Sequence, residues 1–263
     1  MLRGTRGVKR ILVDVHNREK GSYLDGLEDT IGITGTTIYT TIDIKLQEYG
    51  ELLMKNKIGS IVAIDPQTGE ILSLISSPNY DPNLLVGREV RKNYPLLSND
   101  SLNPLFNRAI MAKYPPGSIF KTVQALVGLE EGVISENSGF SCIKSLVNCH
   151  NHPSANNVSE SIKMSCNPYY YQVFRKIIQQ RRALSFFKDS EIGLGIWSKK
   201  VKKFGFGSDL GTDLPGVKSG FIPDVAFYDK WYGKGRWAFS TIYSLIIGQG
   251  EVDVVPLQMA NLS

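Results

Sequence analysis

Apolar positions along this chain change period several times, and each change marks an element. From Thr36 to Asp43 apolar and polar residues alternate, which predicts a strand. From Ile44 to Lys55 the spacing turns helical and predicts a helix packed through Leu46, Tyr49, Leu52 and Leu53. Two apolar runs, Ser60 to Ile64 and Ile71 to Ser76, flank Asp65-Pro66-Gln67-Thr68-Gly69 and predict a β-hairpin. Val123, Leu126, Val127 and Leu129, with Gly132 as a stop, predict another helix. Ser161, Ile162 and Met164, then Tyr169 to Tyr171 leading into Val173, Phe174, Ile177 and Ile178, read as two helices meeting at a short polar junction. Helical patterns also cover Asp189 to Phe204 and Pro256 to Leu262, and Gly-, Pro- and Asp-rich loops fill Gly205 to Asp224. No internal repeat or low-complexity stretch appears.

The chemistry concentrates where Tyr114-Pro115-Pro116-Gly117 runs into Ser118-Ile119-Phe120-Lys121. Prolines suit the approach to a helix rather than its interior, so Ser118 falls at the N-terminus with Lys121 one turn later on the same face. A neighbouring amine can serve as base for a serine hydroxyl if desolvation keeps it unprotonated, and a helix N-terminus offers N–H donors to an oxyanion. Ser-x-x-Lys alone is weak: Ser141/Lys144 and Ser185/Lys188 match it too, and only Ser118 has the turn-into-helix setting. The plain alternative is an N-cap serine beside a solvated lysine, although lysine in a first helical turn is mildly unfavourable.

Those residues, in order with others, resemble the transpeptidase domain of class B penicillin-binding proteins of the elongation type. The matching segments include Thr41-Ile42-Asp43, Gly59 to Pro66, Thr68 to Leu72, Ser77 to Asn83 and Asn107-Arg108-Ala109. Tyr114 to Lys121, Ser165-Cys166-Asn167, Ile247-Gly248-Gln249-Gly250 and Pro256-Leu257-Gln258 continue the match. The resemblance implies an α+β penicillin-binding/serine β-lactamase-like fold, an antiparallel sheet flanked by helices. It implies Ser118 as nucleophile, Lys121 as base or proton shuttle, and Ser165 with Asn167 as the second motif. In that family a D-alanyl-D-alanine stem peptide acylates the serine, an amine from a second stem peptide resolves it, and β-lactams mimic the donor. No cofactor is required. Implied partners are the stem peptides, β-lactams, the rod-complex glycosyltransferase and other elongation proteins, at the extracytoplasmic face of the inner membrane. On pattern alone Ser165-x-Asn167 reads as an Asn helix boundary, since Ser-x-Asn also occurs at Ser77, Ser101, Ser135 and Ser154.

The family also uses a Lys-(Thr/Ser)-Gly strand. Lys218-Ser219-Gly220 has the composition, but Pro215-Gly216 and Gly220-Phe221-Ile222-Pro223 around it are loop chemistry. In the family the motif follows a stretch like Pro256-Leu257-Gln258, so the resemblance implies a domain lacking its C-terminal strands. Losing the oxyanion donor of that strand would cost roughly a hundredfold to a thousandfold in rate. The expected organisation is 1–40 as the end of a non-catalytic pedestal, with Ile11 to Val15 and Gly21-Ser22-Tyr23-Leu24, and 41–263 as the N-terminal part of the transpeptidase domain. An N-terminal membrane anchor, which family members carry, is absent from the chain, and no apolar run reaches spanning length.

At 263 residues and 42% hydrophobic content the chain can bury a large core. The net charge of +5 comes without an aromatic-interleaved basic stripe, which argues against nucleic-acid binding. Lys199, Lys200, Lys202 and Lys203 read as a solvated helix face, and Phe227, Tyr228, Trp231, Tyr232 and Trp237 as aromatic packing under a long loop, with a surface groove as the alternative. Cys142, Cys149 and Cys166 leave one disulfide plus a spare thiol, or no disulfide. Cys142, Cys149 and His152, with or without His150, could instead hold a structural zinc ion, with Cys166 as fourth ligand or only the middle residue of the second motif. Neither Glu191 nor Glu251 has Asn four residues later, which argues against a class A β-lactamase. A penicillin sensor or inactive scaffold, and a D,D-carboxypeptidase, remain as alternatives.

Overall fold

The computed structural model describes residues 4–262 and divides into two compact units, one ending at Thr41 and one beginning at Ile42. In the first, β1 (Ile11–Val13) pairs antiparallel with β2 (Glu19–Ser22), and every residue of both strands is exposed. Asp14 closes the hairpin turn, its carboxylate accepting from the backbone N–H of His16 and Arg18 and from the Arg18 guanidinium. These three donors hold its carboxyl below the usual range. Thr36 to Asp43 forms no strand, contrary to its alternation. Alternation predicts a strand only where the apolar side has something to cover. Here Ile38 and Tyr39 are 60% and 95% exposed and cover nothing.

The second unit opens with α1 (Ile44–Leu53), capped by Asp43 through the N–H groups of Lys45 and Leu46. β3 (Gly59–Ile64) and β4 (Ile71–Ser77) follow as an antiparallel hairpin, Val62 opposite Leu74, with Gly69 at φ +76° in the turn. The face by which α1 meets this sheet is not the apolar one read from the sequence. Gly50 is its buried residue, and a Cβ there would lie 2.6 Å from Ile75 Cδ1, so any larger residue would push the Ile75 side chain aside. Gln47 completes the contact, accepting from Leu74 N and donating to Leu74 O. Leu46, Tyr49, Leu52 and Leu53 all stay on the exposed side.

Helices make up most of what remains: α2 (Val90–Ser98), α3 (Arg108–Met111), α4 (Phe120–Glu130), α5 (Val158–Lys163), α6 (Asn167–Ile178) and α7 (Phe186–Lys202). Short helices α8 (Val225–Tyr232), α9 (Phe239–Ile242) and α10 (Pro256–Leu262) close the unit. The main core lies between α4, α6 and α7, where Phe120, Val127, Val173, Phe174 and Trp197 are fully buried. Close packing of α6 on α7 depends on Gly193, whose added Cβ would fall 2.0 Å from Ile178 O.

Several sequence motifs are braces. Arg108, nearly buried, donates through its guanidinium to the carbonyls of Leu102, Asn103 and Phe106, and its N–H reaches Ser76 Oγ on β4. Buried Gln258 donates to Gly205 O, Ser208 O and Ser219 O and so fixes the loop between α7 and α8. The lysine cluster is not uniformly solvated: half-buried Lys200 bridges Glu130 and Glu131, which tie α7 to α4. Of the aromatic set, Tyr228 and Trp237 are buried and hydrogen-bond Glu251 and Asp229, whereas Trp231 and Tyr232 face solvent.

Candidate active site

The turn Tyr114 to Gly117 enters α4 without a break, through a 3₁₀ turn at Gly117–Ile119. Gly117 stands at φ +61°, and its N–H donates to Gly248 O. Gly248, itself at φ +62°, lies so close that a Cβ on it would meet Phe120 Cβ at 2.6 Å and Gly117 O at 2.8 Å. Gly-Gln-Gly is therefore the seat on which the serine turn rests, a role its sequence signal, a glycine pair alone, did not announce. Ser118 is exposed, and its hydroxyl has no hydrogen-bond partner among the described residues.

Lys121, in the first turn of α4, is 2% exposed. Its Nζ donates to Ser165 O at 2.6 Å, Ser165 Oγ at 2.8 Å and Asn167 Oδ1 at 2.6 Å, and sits 5.9 Å from the centre of the Tyr170 ring. The structure thus joins Lys121, Ser165 and Asn167, with Ser118 three residues before the lysine on the same helical entry. Loss of water around the amine lowers its pKa from 10.5 to about 8, against the opposing influence of the thiols of Cys149 and Cys166.

The junction between α5 and α6 makes this possible. Ser165 takes a left-handed φ of 49°, uncommon for serine, and turns the chain so that its carbonyl and hydroxyl both face Lys121. Cys166 caps the N-terminus of α6 in extended geometry, and Asn167 Nδ2 donates to Asn148 O, which fixes the amide with its oxygen toward the lysine. Tyr170 is held by Ser161 Oγ, and burial pushes its hydroxyl up to about 12.

The loop carrying Asn148 also carries Cys142 and Cys149, and neither they nor Cys166 at the α5–α6 junction forms a disulfide. Donor atoms of Cys142, Cys149, His152 and Cys166 lie within 4.8 Å of one another. His152 Nε2 stands 3.2 Å from Cys149 Sγ and 3.6 Å from Cys142 Sγ, while His152 Nδ1 meets Pro153 O at 2.6 Å. His150 is outside the cluster, its ring beside that of His152. The N–H of Asn167 donates to Cys149 Sγ, so the cluster touches the second motif directly. Cys149 is pulled in two directions: burial raises its pKa, and the donors Asn167 N, His152 and Cys142 bring it below the ordinary value. Burial pushes the Cys166 thiol up to about 12.

Lys218 and Ser219 are exposed and lie outside any strand, with Gly220 at φ +66°, so this triplet has the loop geometry read from its flanking residues. A cavity of about 440 Å³ opens beside β3, lined by Ser60, Val62, Tyr114, Ile119 and Met259 among others.

Known proteins share both the sequence and the fold of this chain. Residues 59–263 match the family described as penicillin binding protein transpeptidase domain. The chain is 32% identical over 271 residues to the peptidoglycan D,D-transpeptidase MrdA of Escherichia coli (strain K12), covering 99% of this chain and 40% of that protein. Penicillin-binding protein PBP2 of Helicobacter pylori, solved in complex with MreC, superposes with a TM-score of 0.71 at 28% identity, over 97% of this chain and 46% of that one. Penicillin-binding protein A of Mycobacterium tuberculosis, solved as a penicillin G acyl-enzyme complex, gives a TM-score of 0.65 at 25% identity, over 87% of this chain and 51% of that one. The chain belongs to the penicillin-binding protein transpeptidase family, in its class B elongation-type branch.

Proposed function

We propose that this chain supplies the acyl-serine chemistry of a peptidoglycan D,D-transpeptidase, with Ser118 as nucleophile. The observation that carries the reading is a buried, depressed-pKa lysine one helical turn from an exposed serine, steered by Ser165 and Asn167. Unprotonated Lys121 takes the proton from Ser118 Oγ as that oxygen attacks the penultimate D-alanine carbonyl. The same amine, or Ser165 Oγ through it, returns a proton to the departing D-alanine. A second stem peptide's amine then displaces the acyl group. β-Lactams acylate the same oxygen and stay attached. Residues 1–40 are assigned to the non-catalytic region before the catalytic part and 41–263 to the transpeptidase domain, in keeping with the unit boundary at Thr41. By analogy with the relatives, elongation proteins and a glycosyltransferase are the partners and the extracytoplasmic face of the inner membrane is the location. Among the described residues no helix is long and apolar enough to cross a membrane.

Labelled penicillin tests the assignment. Wild-type chain is expected to gain one covalent adduct, mapped by peptide sequencing to Ser118, and Ser118→Ala to gain none. An adduct on another residue, or none in the wild type, removes the reading.

The cysteine cluster supports a structural zinc ion held by Cys142, Cys149, His152 and Cys166. Three sulfurs and one imidazole nitrogen are a donor set zinc accepts, and ligand atoms around a tetrahedral zinc stand roughly 3.8 Å apart, a small contraction from the 4.8 Å limit seen here. With Nδ1 against Pro153 O, His152 is oriented to offer Nε2. Such an ion would brace the Cys142–His152 loop against Cys166 and the start of α6 at Asn167, and take no part in acyl transfer. Purified chain is expected to carry about one equivalent of zinc, and less than about a tenth of an equivalent would end the proposal.

A further inference from the structure

A separate polar cavity of about 440 Å³ lies along the outer part of α6, a volume inside the ~300–1,000 Å³ range of small-molecule sites. Leu146, Tyr171 and Phe186 give it apolar walls, and Arg175, Lys176 and Arg181 surround it with positive charge. Gln179 Nε2 is shielded from solvent and has no acceptor among the described residues. Its Oε1 is occupied by Arg175 Nε, and the terminal amino groups of that guanidinium have no partner among the described residues. Among the described residues Arg181 hydrogen-bonds through its backbone N–H, to Asp189 Oδ2, and its guanidinium has no hydrogen-bond partner.

Asp189 is the one carboxylate among the lining residues, against the three cations Arg175, Lys176 and Arg181, so the balance of charge stays positive. The two Asp189 oxygens accept from Arg181 N and Arg182 N and so fix the turn between α6 and α7. Arg175 and Lys176 sit in the last turn of α6, where they offset the helix dipole. Arg181 lies beyond the helix, in a left-handed conformation at φ 59°, and has no such duty.

We propose that this cavity is a binding site for a carboxylate-bearing peptide. Two guanidinium forks match planar carboxylate oxygens, and the Leu146, Tyr171 and Phe186 walls cover a carbon skeleton that a bare inorganic anion would leave unused. The cavity is also joined to the candidate active site. Arg175 follows Asn167 by eight residues of α6, about 12 Å along the axis, the span of roughly four extended residues. Leu146 comes from the loop whose Asn148 O holds Asn167. That the peptide comes from peptidoglycan rests on the transpeptidase reading; the site itself does not.

Titration calorimetry with three probes tests it: an acetylated tripeptide with two free carboxylates, the same peptide with both amidated, and inorganic phosphate. Wild-type chain is expected to bind the acidic tripeptide saturably and the other two at least tenfold more weakly. The double variant R175Q/R181N, changed only at exposed positions and with Asn chosen for the left-handed backbone, should keep the wild-type melting temperature and lose at least tenfold in affinity for the acidic tripeptide. Equal binding of the amidated peptide, or of the acidic peptide by the variant, overturns the proposal. Phosphate binding as tightly as the peptide overturns the peptide assignment. Penicillin labelling keeps the two readings apart: R175Q/R181N should label at Ser118 at the wild-type rate. A wild type that binds the tripeptide without labelling sinks the transpeptidase reading and leaves this site standing.

Discussion

Lys121→Met is expected to slow acylation of Ser118 by labelled penicillin by at least about a thousandfold, because under the proposed mechanism it removes the base from the nucleophile. With its pKa lowered from 10.5 to about 8 by burial, about a tenth of the amine is neutral at pH 7. An ordinary lysine would be neutral in about three molecules in ten thousand. The wild-type rate should therefore climb roughly tenfold per pH unit up to about pH 7.5 and level off above about 8. A flat profile across that range would take Lys121 out of the proton path. The same shift has a stability signature of definite sign. The folded-state pKa lies below the unfolded one, so the unfolded chain binds more protons between about pH 8 and 10.5, and wild-type stability gains over that window. Measured against Lys121→Met, which lacks this titration, wild type should gain about 3 kcal/mol as pH rises through it. Below pH 8 the buried cation keeps its full cost.

Trp197→Ala should be the most damaging single change to the fold, at about 3–5 kcal/mol. Trp197 is fully buried in α7, edge-on to Phe120 of α4 at 6.1 Å and to Phe174 of α6 at 5.6 Å. Its Nε1 donates to Gln124 Oε1 at 2.8 Å, and Gln124 Nε2 in turn donates to Leu245 O. Truncation opens a cavity where three helices meet and strands a buried amide. The melting temperature should fall by about 10 °C, given about 2–4 °C per kcal/mol for a domain of this size. Trp231→Ala, at a position 68% exposed, should move stability by no more than about 0.5 kcal/mol. Equal effects at both positions would contradict the core described here.

Much of the candidate site was legible because its parts are local. The proline-glycine entry to a helix fixes where Ser118 and Lys121 sit relative to each other within one turn, and neighbouring periodicity separates Ser165 from the other Ser-x-Asn pairs. What brings the two motifs together is not local. Lys121 and Asn167 are 46 residues apart, and their contact depends on the left-handed backbone at Ser165 and the packing of α4 on α6. No short-range pattern encodes either.

The same division runs through the fold. Helix and hairpin positions followed from hydrophobic period, since a period depends only on the residues within the element: β3, β4, α4, α6 and α10 lie where it put them. Which face of an element is covered depends on what arrives from elsewhere in the chain. So α1 meets its sheet through Gly50 and Gln47 rather than its leucines, and Lys200 bridges two glutamates rather than facing water. Thr36 to Asp43 had the pattern of a strand and no apolar surface to cover. The chain by itself determined most of the elements and the candidate reactive residues. Only tertiary packing decided which of them touch, because burial and left-handed backbone turns are set by neighbours distant in sequence.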